Sequence, residues 1–257
     1  MKYNIMLAFS FAKRDFKERY VGTGLGRFWY ILSPIITILI YTVVFSDFMK
    51  MKLAIVDNNY SYSIYLVPGL LAWTSFSTIL IRLNSSILDK ANLIKKISVP
   101  AYVYQISIII TEFALVLLSY TLALIFLFIV QHPITLTFLY LIPILFLQTV
   151  LAFALGVIFS LFTPFFKDFK EAMPVVIQLW FWLTPIVYMK EMLANKYPFL
   201  LTYNPFFHFA NIYQEIFLYA KAPSLYDAAM ITVITVLLLI LAGYLYKKMI
   251  VTIKDIL

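Results

Sequence analysis

Long uninterrupted apolar segments dominate this sequence and constrain its fold more than any other feature. Five of them lie at about 28–48, 62–83, 101–130, 138–163 and 225–247. A helix needs about 20 mostly apolar residues to cross the roughly 30 Å hydrocarbon core of a bilayer, and each segment is long enough to do so. The apolar residues are continuous, whereas the strands of a transmembrane barrel alternate. The sequence therefore predicts an all-α integral membrane protein.

Charged residues are too few to cover a soluble domain of this size. Only 12% of the 257 residues are charged and 63% are hydrophobic, whereas a soluble domain is about a quarter charged. This composition excludes an ordinary soluble enzyme, a disordered protein and a partner of nucleic acids. The chain has no cysteine and two histidines, so thiol chemistry and disulfides are excluded and no metal site is expected.

A sixth, shorter span is predicted at 173–189, where Pro174 and Pro185 interrupt the apolar run. The segment 190–223 between it and the last span is also apolar, but polar residues such as Asn204 break it. Irregular backbone at membrane depth is tolerated only against protein or a water-filled cavity. We therefore expect an external, re-entrant helical pair before the last span.

The basic residues predict the orientation of the six spans. Fourteen Lys and Arg fall in 1–27, 84–100, 164–172 and 247–257, against five in the opposite loops. Positive residues are enriched in cytoplasmic loops. Both termini are therefore expected in the cytoplasm, and the net charge of +8 reflects topology.

The first 27 residues are expected to form a helix that lies in the cytoplasmic interface. Apolar residues from Ile5 to Tyr20 recur every three or four positions, and basic residues such as Arg14 lie off that stripe. This pattern is typical of a helix at the level of the lipid headgroups, and a simple membrane anchor is the alternative. Gly22, Gly24 and Gly26 do not have the spacing of a phosphate-binding loop. ATP binding through such a loop is thus excluded, and no catalytic residue or cofactor is assigned to the chain.

Ordered motifs along nearly the whole chain resemble the membrane subunit of type-2 ABC exporters for cell-surface polysaccharides, which include O-antigen, teichoic-acid and capsule-type transporters. They are RDFKERYVGTGLGRFWYILSP (14–34), SIYLVPGLLAWTSFS (63–77), ANLIKKISVP (91–100), FFKDFKEAMPVVIQLWFWLTPIVY (165–188) and YNPFFHFANIYQEIF (203–217). One departure is Lys167, where arginine is frequent in that family; lysine keeps the charge but loses bidentate pairing.

The resemblance implies a homodimer that encloses a pore in a bacterial inner membrane. It also implies two copies of a separate ATP-binding-cassette subunit, which carries the ATP and magnesium. The single transmembrane domain, residues 1–257, would move a lipid-linked polysaccharide outward. The same architecture could export teichoic acid or another amphiphile, such as a lipid or a drug.

The resemblance implies that the loop 84–100 contacts the ATPase. The turn at 167–171 is a second candidate for a contact with the ATPase, or with the N-terminal helix. A solvated basic loop and a local salt-bridged cap are the alternative interpretations. The residues assigned to coupling are Arg14, Arg19, Asp89, Leu93, Ile94, Lys95, Lys96, Lys167 and Asp168.

Aromatic residues supply candidates for the substrate channel, because the apolar faces of sugar rings can lie on aromatic rings through weak contacts. Aromatic belts at the two membrane interfaces are the alternative explanation. The candidates for the channel and its gate are Phe28, Trp29, Tyr30, Trp180, Phe181, Trp182, Pro185 and Tyr188. Pro185 would let the fifth span bend, or would only fix a static kink.

Glu112 lies well inside the third span, where an ionised side chain is costly. We expect it to bond to another helix. A proton relay, as in a proton-coupled transporter, is less favoured because no buried partner is evident in the sequence. A membrane-embedded acyl- or glycosyltransferase is also disfavoured, because acidic residues and histidines do not cluster at one membrane face.

Overall fold

The computed structural model describes residues 2–53, 58–91, 99–194 and 196–256. Of these residues 81% are helical, and no strand occurs among them. The helices are α1 (Lys2–Glu18), α2 (Trp29–Thr42), α3 (Ser61–Asp89), α4 (Ala101–Ile129), α5 (Leu141–Phe162), α6 (Asp168–Trp182), α7 (Glu191–Ala194), α8 (Pro198–Tyr203), α9 (Pro205–Tyr219) and α10 (Leu225–Ile256). Short 3₁₀ turns precede α2 and α5, and a π-helix (Val43–Phe48) extends α2.

Five continuous helical segments are long and apolar enough to cross a membrane, which confirms the predicted all-helical membrane architecture. They are Gly26–Phe48, Ser61–Asp89, Ala101–Ile129, Leu136–Phe162 and Leu225–Ile256. Each coincides with one of the five long apolar segments, because the length and continuity of an apolar run decide whether it can span.

Helix α6, in the region of the predicted short span, is only 15 residues long. At 1.5 Å per residue it extends about 22 Å, less than the thickness of the hydrocarbon core. It both begins and ends earlier than the predicted 173–189. Pro185 therefore follows the helix and does not bend it, since proline disfavours helical backbone at the preceding residue, Thr184.

Helix α1 packs along α4 through a narrow face of small residues. Ala8 and Ala12 are buried, whereas Ile5 and Phe9, which belong to the predicted apolar stripe, are exposed. The chain then turns at two glycines with positive φ, Gly22 at +86° and Gly26 at +51°. Residues with a side chain rarely adopt this conformation, so the turn that leads from α1 to α2 depends on glycine.

Helix α3 is the centre of the bundle and packs against α4, α5, α6 and α9. Its closest neighbour is α5, because Gly156 lets the two backbones approach. A Cβ atom at Gly156 would lie 2.6 Å from the side chain of Leu83. Small residues at helix contacts are typical of membrane proteins, where van der Waals packing drives helix association.

Helix α9 covers the centre of the bundle at the end opposite α1. Its apolar side chains are buried against α3 and α10. Phe217 of α9 also lies next to His132, in the turn between α4 and α5. His132 is only 7% exposed.

The pKa of His132 is lowered because burial disfavours the charged ring, an effect that the hydrogen bond with the Phe217 backbone partly offsets. A lowered pKa in the folded state means that folding favours the neutral ring. Stability is therefore greatest above the ordinary histidine pKa of about 6.5 and falls as the pH decreases through that value, by at most about 1.4 kcal/mol per pH unit.

We expect His132→Asn to remove this part of the pH dependence. Thermal unfolding of the purified protein, followed from about pH 8 to about pH 5, measures it. His208 is present in both proteins and serves as an internal control. If stability fell with decreasing pH equally steeply in the variant and in the wild type, the assignment to His132 would be contradicted.

Candidate functional site

Direct contacts define two ends of the helix bundle. At one end the Asn4 amide donates to the Tyr102 hydroxyl (2.7 Å), and Lys170 pairs with Asp89 (3.0 Å). This end carries most of the basic residues, and we call it the basic end. The opposite end carries the turn at His132 and the helices α7–α9.

A partly buried cluster of four charged side chains, centred on the buried Glu112, joins α1, α3 and α4 near the basic end. Arg19 and Arg82 both donate to one oxygen of Glu112, at 2.8 and 2.5 Å. Arg82 also donates to Asp15 at 2.6 Å. Glu112 is only 4% exposed, and the two arginines are 25% and 21% exposed. The cluster contains two positive and two negative charges and is therefore neutral.

Neutrality explains how these charges are tolerated at this depth. A lone carboxylate or guanidinium inside a span is costly, and pairing with additional hydrogen bonds reduces that cost. The expected bond from Glu112 to another helix is present as an ion pair. Sequence reasoning treated Arg82 only as a residue at the end of a span. The signal that could have revealed this ion pair was the presence of two opposite charges, Arg82 and Glu112, inside neighbouring spans.

A small polar cavity of about 110 Å³ lies beside this cluster, between α2, α3 and α4. Its wall includes Arg19 and Glu112 together with the hydroxyl groups of Ser33, Thr74, Ser75, Thr78 and Ser119. The hydroxyls of Thr74 and Ser75 donate to carbonyl groups one turn earlier in α3, at 2.8 and 2.9 Å. Their oxygen lone pairs remain as acceptors toward the cavity.

The structure brings together two of the segments assigned to coupling. Asp89 at the end of α3 accepts from Lys170 at the start of α6, and Ser85 donates to its other oxygen at 2.6 Å. Lys167 and Asp168 are exposed next to this pair.

The other coupling candidates are not near that pair. Arg14 makes an exposed contact of 3.6 Å with Glu18 on α1, and Arg19 points into the buried cluster. Leu93, Ile94, Lys95 and Lys96 lie outside the described residues.

The first set of aromatic channel candidates lies at the basic end. Phe28 is exposed and Trp29 is half-buried. Tyr30 is buried, with its ring stacked on Phe16 at 4.3 Å and edge-on to Tyr20 at 4.7 Å. Its hydroxyl donates to the Phe16 carbonyl group at 2.8 Å. Tyr30 therefore fixes α1 against the start of α2.

The second set lies at the far end of α6, and its members have different surroundings. Trp180 packs against Trp73 and Phe76, with ring centroids 5.7 and 5.3 Å apart. The Trp180 Nε1 donates to Asn204 at 2.9 Å. Asn204 in turn donates to Thr184 at 2.8 Å and caps α9. Trp180 therefore holds α6 against the core of the bundle.

The other aromatic members of this set are half-buried or exposed. Phe181 and Tyr188 are half-buried, and the Tyr188 hydroxyl donates to the Trp182 carbonyl group at 2.7 Å. Trp182 itself is 56% exposed. Together with Val175 and Leu179 it forms an apolar face of α6 that no described part of the chain covers.

A second buried polar contact lies at the opposite end, and sequence reasoning missed it as well. His208 of α9 contacts Asp227 of α10 at 2.7 Å. Asn211 and Ser224 also donate to Asp227, at 2.9 and 2.8 Å. This network attaches α9 to the start of α10. Lys190 bonds to Asn211 at 2.7 Å and borders a cavity of about 310 Å³ next to it.

The charged cluster at the basic end yields a stability prediction. We expect Glu112→Met to lower the free energy of unfolding by about 2–3 kcal/mol, because Arg19 loses its counter-ion and Arg82 keeps only Asp15. Breaking a fully buried pair costs roughly 3–5 kcal/mol, and the partial exposure of the arginines reduces that figure. Thermal or denaturant unfolding in detergent measures the change.

A double-mutant cycle isolates the pair. Arg82→Met combined with Glu112→Met should destabilise by clearly less than the sum of the single changes. The matched control is Glu18→Ala, which removes the exposed pair with Arg14 and should cost less than about 0.5 kcal/mol. Additive effects of the two buried substitutions would contradict the ion pair.

Comparison with known proteins gives a consistent result along the chain. The family of ABC-2 type transporters matches residues 6–218. Two proteins of Klebsiella pneumoniae named O-antigen export system permease protein RfbA are 29% and 27% identical over 223 residues, covering 85% of this chain and 84% of each relative. A protein of the same name from Myxococcus xanthus is 27% identical over 245 residues, covering 94% of this chain and 92% of the relative.

The match extends from α1 to α9 and includes the charged cluster, the aromatic face of α6 and His208, whereas Asp227 lies beyond it. It covers far more than half of the chain, and its apolar helices are those of a multi-pass membrane protein. This chain therefore belongs to the family of ABC-2 type transporters.

Proposed function

We propose that this chain is the channel-forming membrane subunit of an ATP-driven exporter for a lipid-linked polysaccharide similar to O-antigen. The observation that carries the proposal is the similarity to proteins named O-antigen export permeases over almost their whole length. The substrate would pass outward from the cytoplasm without covalent change, and the chain itself would not be an enzyme.

A separate ATP-binding-cassette subunit would supply the energy. The sequence has no phosphate-binding loop of its own, and the ABC-2 family implies such a partner. Its contact surface would be the basic end, where Asp89, within the segment 84–100, pairs with Lys170 and links the end of α3 to the start of α6. A movement at this end would reach both helices through that ion pair.

In this proposal α6 is the fifth of six spans, both termini are cytoplasmic and α1 lies in the cytoplasmic interface. The exposed Ile5 and Phe9 of α1 would then face lipid, while Ala8 and Ala12 face α4. Helix α6 is too short to span alone, so the segment 183–188 and the helices α7–α9 would complete the crossing as a re-entrant unit.

The uncovered face of α6 would meet the channel of a homodimer. Trp182 presents an exposed ring there, whereas Trp180 is engaged with the core. An exposed indole on a rigid helix offers a sugar ring a flat apolar surface, and such contacts are weak enough to let a polymer slide.

We expect Trp182→Ala to reduce glycan export by about two- to tenfold, the factor that corresponds to one lost aromatic contact. Thermal stability should remain near that of the wild type, because the side chain is exposed. Trp180→Ala should instead lower stability, because it removes the bond to Asn204 and the contacts with Trp73. Surface glycan is measured in cells that depend on this exporter.

The matched control for Trp182 is Phe146→Ala on α5, an aromatic residue of equal exposure (56%). Export should be unchanged in this variant. Export by Trp182→Ala at the wild-type rate, or an equal loss in Phe146→Ala, would contradict a channel role for the face of α6.

The coupling loop gives a second prediction. Charge reversal at Lys95 and Lys96 (K95E with K96E) should abolish co-purification of the ATPase subunit, because opposite charges fix the register of docking. The control reverses Lys196 and Lys221 at the opposite end and should leave co-purification unchanged. Equal retention of the ATPase by both double variants would contradict docking through this loop.

A further inference from the structure

A narrow crevice of about 470 Å³ opens between α4, α5 and α10 at the basic end. Its lining includes Tyr102, Gln105, Ile106, Leu239, Gly243 and Lys247. The crevice lies apart from the charged cluster and from the open face of α6, and none of the roles proposed above uses it.

The mouth of the crevice lies level with α1. Asn4 of α1 donates to the Tyr102 hydroxyl at 2.7 Å, and the Tyr102 backbone N–H donates to the Tyr246 hydroxyl at 3.1 Å. Lys247 follows directly, and its side chain is exposed. Tyrosine and lysine at the end of an apolar helix are typical of the level of the lipid headgroups.

The inner walls of the crevice are apolar and open toward the outside of the bundle. Ile106 and Leu239 are 36% and 39% exposed. At Gly243 a Cβ atom would meet no atom within 4 Å, so the absence of a side chain there is not required by helix packing. The glycine instead leaves the groove beside α10 unfilled.

One buried polar atom in this wall lacks a partner. Gln105 is 1% exposed, and its Nε2 donates to Ser160 at 2.8 Å and to Ser86 at 3.3 Å. Both serines use their own hydroxyl protons on the carbonyl groups of Val157 and Leu83, so they act as acceptors toward Gln105. This fixes the orientation of the amide. Its Oε1 has no hydrogen-bond partner in the described part of the chain.

A buried acceptor without a partner costs free energy unless a donor reaches it. A ligand that supplied this donor would also have to fit an apolar groove with a cation at its mouth. A phospholipid has these properties. Its acyl chain can pack against the apolar wall, its phosphate can pair with Lys247, and its polar part can carry a hydroxyl or ammonium donor.

We propose that the crevice is a binding site for one phospholipid whose polar part carries a hydrogen-bond donor. The acyl chain lies along Ile106 and Leu239 past Gly243, the phosphate pairs with Lys247, and the donor bonds to Gln105 Oε1. Phosphatidylglycerol and phosphatidylethanolamine carry such donors, and phosphatidylcholine does not. The site is independent of the exported substrate.

Native mass spectrometry of the purified full-length chain tests this, with each of these three lipids added in turn. The wild type should retain one phosphatidylglycerol or phosphatidylethanolamine per chain, about tenfold more tightly than phosphatidylcholine, the factor expected for one hydrogen bond to a buried polar group. Equal binding of all three lipids, or no stoichiometric lipid, would overturn the proposal.

Three variants with matched controls locate the site. Gly243→Leu should fill the groove and abolish binding, whereas Gly243→Ala should retain most of it. Lys247→Gln should weaken the binding of phosphatidylglycerol and phosphatidylethanolamine. Lys248→Gln, one residue further on, should leave their binding unchanged. Gln105→Met should remove the preference over phosphatidylcholine. If Gly243→Leu retained the lipid and had the melting temperature of the wild type, the lipid would bind elsewhere on the protein, and the assignment to this crevice would be overturned.

Discussion

Every polar group that enters a bilayer needs a partner within the protein, and this requirement shapes the bundle at each level. Within the long helices the backbone satisfies itself. Polar side chains require specific neighbours, and the strongest case is the cluster of Asp15, Arg19, Arg82 and Glu112. Because no member of that cluster is stable alone in its place, α1, α3 and α4 must assemble together.

The same requirement organises the opposite end. The break between α8 and α9 is sealed by Asn204, which caps α9, donates to Thr184 and accepts from Trp180. Asp227 accepts from three side chains and attaches α9 to α10. A short α6 is possible only because these contacts hold the irregular segment after it. Gln105 Oε1 is one of a few buried polar atoms without a partner in the described part of the chain, and it belongs to a residue that lines the crevice between α4, α5 and α10.

The two ends have different relations to a transport cycle. The ion pair of Asp89 and Lys170 connects α3 to α6 where the proposed ATPase would bind. The open face of α6 is at the other end of that helix, close to the Trp180 cluster that fastens it to α3. A rigid helix anchored at both ends can transmit a displacement from the basic end to the aromatic face.

The sequence by itself determined the membrane class, the five long helices and the absence of a phosphate-binding loop. These depend on the length, continuity and spacing of residues along the chain, which are local properties. The tertiary structure alone decided which polar residues meet. Glu112 looked isolated because its partners are 30 residues or more distant in sequence, and Trp180 and Trp182 looked equivalent although one is packed and the other is exposed. The early end of α6 has a local cause in Pro185, which disfavours helical backbone at Thr184, and a tertiary one in the bond from Asn204 to Thr184.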